Sequence, residues 1–152
     1  MNDDVVELLR EEIANMNKAA DHLQVSLARC AGLAGSEDID ELERLEALSS
    51  RFARLADILT QRVMRLVDDV ELLPGGTLLD RIFQAEKRGW VSSADQLIRI
   101  RKLRNVIAHD YAAESREAIH VGIAELAPDL LAIVSKASSY ADGLARRLEA
   151  RR

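Results

Sequence analysis

One cysteine, two prolines, seven glycines and an aromatic content of 3% are few for a chain of 152 residues. The lone Cys30 excludes an intramolecular disulfide and any metal centre built on cysteine pairs. With so few rings, the core must be aliphatic, since 48% of the chain is apolar. Scarce proline and glycine, and the lack of alternating apolar–polar runs, exclude a sheet protein and predict an all-α one. No apolar run approaches the roughly 18 residues needed to span a bilayer, and Met1-Asn2-Asp3-Asp4 lacks the apolar core of a leader. No membrane role is therefore expected, and a reducing cytoplasm is the expected compartment. The length suits a single domain over residues 1–150.

The formal charge of −5 is unevenly spread. Residues 1–80 hold 8 basic against 17 acidic side chains, whereas residues 81–116 hold 8 against 4. That balance excludes a non-specific nucleic-acid coat but leaves room for one local basic site.

Five helices follow from the apolar spacing. Leu9, Ile13, Met16, Ala20, Leu23 and Leu27 give the first, over 4–31, stopped by Gly32 and Gly35-Ser36. The second spans 38–72 on a stripe of Leu45, Leu48, Phe52, Leu55, Leu59, Val63, Leu66 and Val70, with Ser36 or Asp38 as its cap. Asp68-Asp69 read as part of its wet face. Pro74-Gly75-Gly76 breaks the chain, and Thr77 caps a short helix to Lys87 with Leu78, Leu79, Ile82 and Phe83 inward. Gly89 ends that helix, Trp90 anchors the connection, and Ser92 or Ser93 caps a fourth helix ending between His109 and Ala113. The last covers 115–149, with a kink or break expected at Pro128. His22 and His120 have no partner at helical spacing that would make a metal site.

The fourth helix carries the densest chemistry, Arg99-Ile-Arg-Lys-Leu-Arg-Asn-Val-Ile-Ala-His-Asp-Tyr111. At about 100° per residue from Arg101, Asn105 and His109 fall near 40° and 80°, and Arg104 and Tyr111 near −60° and −80°. Ile100, Leu103, Val106 and Ile107 gather on the opposite side and predict the core face. Metal-free RNA cleavage needs a group that moves protons near neutral pH and a cation that steadies the phosphorane. Histidine suits the first task and a forked guanidinium the second. His109 and Arg104 are the candidates. Asn105 stands one turn from His109, and Arg99, Arg101 and Lys102 are available for the flanking RNA backbone.

Arg104-Asn105-Val106-Ile107-Ala108-His109-Asp110-Tyr111 resembles the Arg-(four residues)-His-X-Tyr signature of HEPN-domain proteins, and of the HepT-like toxins in particular. A helical hairpin before it and a long final helix with Leu126-Ala127-Pro128-Asp129-Leu130 agree with that resemblance over roughly residues 1–145. The resemblance implies an up-down bundle of about five helices that forms a homodimer, with Arg104 and His109 of both chains lining one cleft. It implies a metal-independent endoribonuclease toxin that needs no cofactor. The partner it implies is a minimal nucleotidyltransferase antitoxin that adenylylates Tyr111. Added phosphates beside Arg104 would then block RNA by charge and bulk. Asp110, next to His109, is a carboxylate that would raise the imidazole pKa. The same resemblance admits a non-catalytic alternative, a nucleotidyltransferase partner or substrate-binding subunit.

Overall fold

The computed structural model describes residues 2–109 and 113–151. Those residues are helical, with no strand among them: α1 (Asn2–Arg29), α2 (Ile39–Asp57), a π-helical segment (Ile58–Val63), α3 (Met64–Val70), α4 (Leu78–Lys87), α5 (Ala94–His109) and α6 (Ala113–Ala150). Because α2, the π segment and α3 run end to end, five helical rods result, in the order the apolar spacing predicts.

The boundaries follow from local chemistry. Gly32 and Gly35 take left-handed φ values of 77° and 85° between α1 and α2, where a side chain would be strained. The Asp38 carboxylate accepts the Glu41 N–H at 3.1 Å and caps α2. Thr77 and Asp80 form a reciprocal capping box on α4. At the start of α5 the Ala94 N–H donates to Glu86 and the Asp95 N–H to the Ser93 hydroxyl. Pro128 lies inside an unbroken α6, so the expected break is absent.

α1 packs along α6 and α2, and α5 packs on α6 and α2. Arg10 pairs with Asp142 and Glu149 while Asn17 bonds Ser138, which sets α1 and α6 antiparallel. The core is aliphatic, as the composition requires. Phe52, Trp90 and rows of Leu, Ile, Val and Ala fill it. α5 packs on α6 at Gly122, where a Cβ would lie in van der Waals contact, 3.4 Å from both Leu103 methyl groups, leaving little room for anything larger.

Several expectations need correction. The second rod's stripe holds through Leu59 and Val63, but the π segment adds a residue to the turn and shifts the register. Met64 and Val67 then reach full burial, while Leu66 and Val70 sit at the edge. On α4, Ile82 is buried as expected, but Leu79 and Phe83 are about half exposed and Ala85 turns inward. Val106, expected on the core face of α5, is 42% exposed, whereas Ile100 is buried and Leu103 and Ile107 pack at the edge of the core. Ser115–Ala150 does contain an 18-residue window apolar enough to cross a bilayer by length and composition alone. Its apolar side, from Ile119 through Ala145, lies in the core against α1 and α5.

Asp68 is not on a wet face. It is buried and meets Arg88 Nη1 at 2.7 Å, the side chains being 11% and 6% exposed. The two opposite charges form a buried ion pair. Arg88 also donates to Glu71 at 2.6 and 3.0 Å, and the Tyr140 hydroxyl donates to the other Glu71 oxygen at 2.6 Å. The guanidinium lies 5.4 Å from the Trp90 ring centre and 5.6 Å from that of Tyr140. Burial opposes the charge on Arg88, but its two carboxylate partners outweigh it and hold the pKa above the ordinary value. With one guanidinium shared by two carboxylates, this cluster ties α3, the α4–α5 connection and α6 together.

Candidate functional site

α2 and α5 run antiparallel, and a cleft of about 620 Å3 opens between them, lined by Ser50, Arg54, Asp57, Ile58, Gln61, Arg62, Arg101 and Arg104. Arg101 and Arg104 are three residues apart, one on each side of the same helical stripe, so both reach the last residue of α2. Arg104 donates from Nε to Asp57 Oδ1 at 2.7 Å and from Nη2 to Oδ2 at 2.8 Å. Arg101 Nη1 adds a third bond to Oδ1 at 3.0 Å. Hydrogen bonding to Asp57 raises the Arg104 pKa, against a smaller opposing effect of burial. The guanidinium is a permanent, oriented cation.

Arg54 and Arg62 stand exposed at the rim, so four arginines face one carboxylate. The Asp57 carboxylate occupies Arg104 as one face of a phosphate would, with two oxygens on two parallel N–H groups. The side chains of Arg104 and Asp57 are 25% and 35% exposed, so an anion from solution can reach the guanidinium.

The π segment forms the cleft floor. Met64 donates its N–H to the Leu59 carbonyl five residues back, and the wider turn is pinned from behind by Arg81. Arg81 Nε donates to the Thr60 carbonyl at 3.2 Å and Nη1 to the Gly76 carbonyl at 3.2 Å. Its Nη2 lies 3.5 Å from the Gln61 amide oxygen, and Gln61 also lines the cleft. The Arg81 pKa falls because of burial and then the nearby Arg65.

Of the residues expected at the site, Arg101 and Arg104 meet on Asp57. Arg99 and Lys102 are exposed and do not line the cleft. Asn105 and His109 are exposed on α5. At helical spacing His109 stands about 140° around the axis and about 7.5 Å along it from Arg104. One chain therefore does not turn the imidazole into the arginine cleft. Asp110 and Tyr111 lie outside the described residues. Among the described residues, no group of three or more His, Cys, Asp or Glu side chains could hold a metal ion.

Sequence reasoning missed Asp57, although it left a signal. Asp57 is the only acidic residue between Glu46 and Asp68, in a stretch that also holds Arg51, Arg54, Arg62 and Arg65. His120 was passed over as a metal ligand, and it is buried with Nδ1 lacking a hydrogen-bond partner among the described residues. Comparison with known proteins adds no relative: no family model, curated protein or solved structure matches this chain.

Proposed function

We propose that this chain is a HEPN-type toxin, a metal-independent endoribonuclease acting as a homodimer and restrained by a nucleotidyltransferase antitoxin. The observation that carries this reading is the Arg101–Arg104 pair held on Asp57 inside an arginine-lined cleft, on the helix that bears the Arg-(four residues)-His pattern. In the proposed reaction the scissile phosphate binds the Nη edge of Arg104 that faces away from Asp57, and those N–H donors offset the charge growing on the phosphorane. His109 moves the proton between the 2′-hydroxyl and the leaving 5′-oxygen, leaving a 2′,3′-cyclic phosphate. Asp57 holds Arg104 in the orientation that receives the phosphate. Because His109 of the same chain points elsewhere, the imidazole comes from the second copy. Val106, exposed beside Asn105 and His109, and Val121 on the adjoining α6 give that contact apolar area. Adenylylation of Tyr111 closes the site by bringing phosphates toward the arginines.

A second reading draws on the separation of Arg104 from His109. The cleft then binds the phosphate of a partner's nucleotide and cleaves nothing. Incubating parent, Arg104→Ala and His109→Ala proteins with RNA in EDTA separates the two. Cleavage by the parent alone, with cyclic-phosphate ends, is expected. Intact RNA with protein shown by mass to be unmodified at Tyr111 overturns the nuclease reading.

A further inference from the structure

The groove between α2 and α5 does not end at Arg104. One turn further along α5 lies a second cavity of about 620 Å3, and Ser50 borders both. The character of the wall changes there. Leu42, Ile107 and Ile119 make it apolar, while Glu46, Ser49 and Arg116 stand at its edges. Ala108 leaves room between the two parts. It lies about 5.4–6 Å along α5 from Arg104 and about 40° around it, so both open on one stripe. A cationic cleft that runs into an apolar slot with hydrogen-bonding edges, within the reach of a single sugar, matches a nucleotide.

We propose that this slot is a nucleobase subsite, which receives the base of the nucleotide whose phosphate sits on Arg101 and Arg104. The inference rests on the phosphate-binding reading of the arginine cleft and adds the substrate feature that the subsite recognises. The aliphatic walls sandwich the flat base. Glu46 accepts from its N–H edge, and Ser49 and Arg116 donate to its ring or carbonyl acceptors. His120 also lines the slot, buried, with an Nδ1 that has no hydrogen-bond partner among the described residues. A buried imidazole nitrogen without a partner is unfavourable until a polar group in the cavity meets it. Unpaired RNA is the form that fits, because a base inside a duplex cannot enter a slot between two helices.

The test is direct binding to the full chain, measured by calorimetry with inorganic phosphate, ribose 5-phosphate and the four ribonucleoside 3′-monophosphates. At least one nucleotide is expected to bind about tenfold more tightly than ribose 5-phosphate, in line with the contribution of one well-packed base. Ser49→Phe, a half-buried wall position outside the arginine cleft, should fill the slot. It should erase that preference while leaving affinity for inorganic phosphate unchanged. Leu42→Ala, which removes one wall, should reduce the preference without blocking entry. Arg104→Ala should weaken phosphate and nucleotides alike.

The proposal is overturned if all four nucleotides bind no better than ribose 5-phosphate, or if both wall variants keep the parent's preference. It is also overturned if Ser49→Phe changes only the oligomeric state in sedimentation, which makes the slot a chain–chain interface. Nucleotide preference in a protein that cleaves no RNA retains the subsite and removes the nuclease. Cleavage without any nucleotide preference does the reverse.

Discussion

Replacing Asp57 by Asn should make the protein bind RNA more tightly and cut it more slowly. The carboxylate accepts three hydrogen bonds from Arg101 and Arg104 and repels any phosphate that binds the same arginines. Across a guanidinium, a bound phosphate lies about 6 Å from that carboxylate. The repulsion between the two is then about 0.7 kcal/mol in bulk water and about 3 kcal/mol at an effective dielectric near 20. With the Asp57 side chain 35% exposed, the lower part of that range applies, about 1 kcal/mol, or about fivefold in affinity. The gain should shrink as salt rises from about 0.05 M toward 1 M, where the screening length falls to about 3 Å. Turnover should move the other way, because a neutral amide at this position cannot hold Arg104 by two charged bonds. Fluorescence anisotropy on an RNA that carries a 2′-deoxy block reads the first effect, and single-turnover cleavage of unblocked RNA the second. An Asp57→Asn protein that is folded by circular dichroism but binds RNA no more tightly at low salt would refute this account of the cleft.

Three further outcomes concern the scaffold. Arg88→Met strands Asp68 and Glu71 without a cation among buried groups and should cost about 3–5 kcal/mol in urea unfolding; a loss below about 1 kcal/mol would show the cluster to be a surface network. Gly122→Val forces a side chain against Leu103 and should cost about 1–3 kcal/mol by overpacking, read as a lower Tm, whereas an unchanged Tm would mean that α5 is free to move. Burial, with nearby Arg116 adding to it, lowers the His120 pKa below its ordinary 6.5. The unfolded chain thus binds that proton more readily, so the stability from neutral His120 is complete above pH 6.5 and is lost as pH falls below it. Urea unfolding above and below that value should show a decline in the parent that His120→Gln reduces, and equal declines would remove His120 as its source.

How much of this was legible beforehand differs between fold and site. Period and punctuation were enough for the helices. Gly32, Gly35, Asp38, Thr77 and Ser93 do in the structure what their types predict. The π segment was not legible, because Ile58–Val63 reads as continuous α-helix and the extra residue shows only in which apolar side chains reach the core. Asp68 was misread for a related reason. Its partner Arg88 lies twenty residues away across a proline–glycine break, and no local pattern links them. At the site, the helical wheel brought Arg101 and Arg104 to one stripe but could not supply what they face. Asp57 comes from another rod, so only tertiary packing introduces it. The sequence reading paired His109 with Arg104 as one polar face, but with α5 helical through His109 the two stand about 140° apart around its axis.

That separation makes chain mixing the most direct test. Arg104→Ala and His109→Ala proteins, each inactive alone, are unfolded together, refolded together and assayed on RNA in EDTA. If one site takes its arginine from one copy and its histidine from the other, half the dimers are mixed and each carries one intact site. Activity should then return to about a quarter of the parent's. If the mixture stays as inactive as its components while mixed dimers are shown to form, the two residues do not meet across a two-fold axis. The account of this cleft as a shared ribonuclease site then fails.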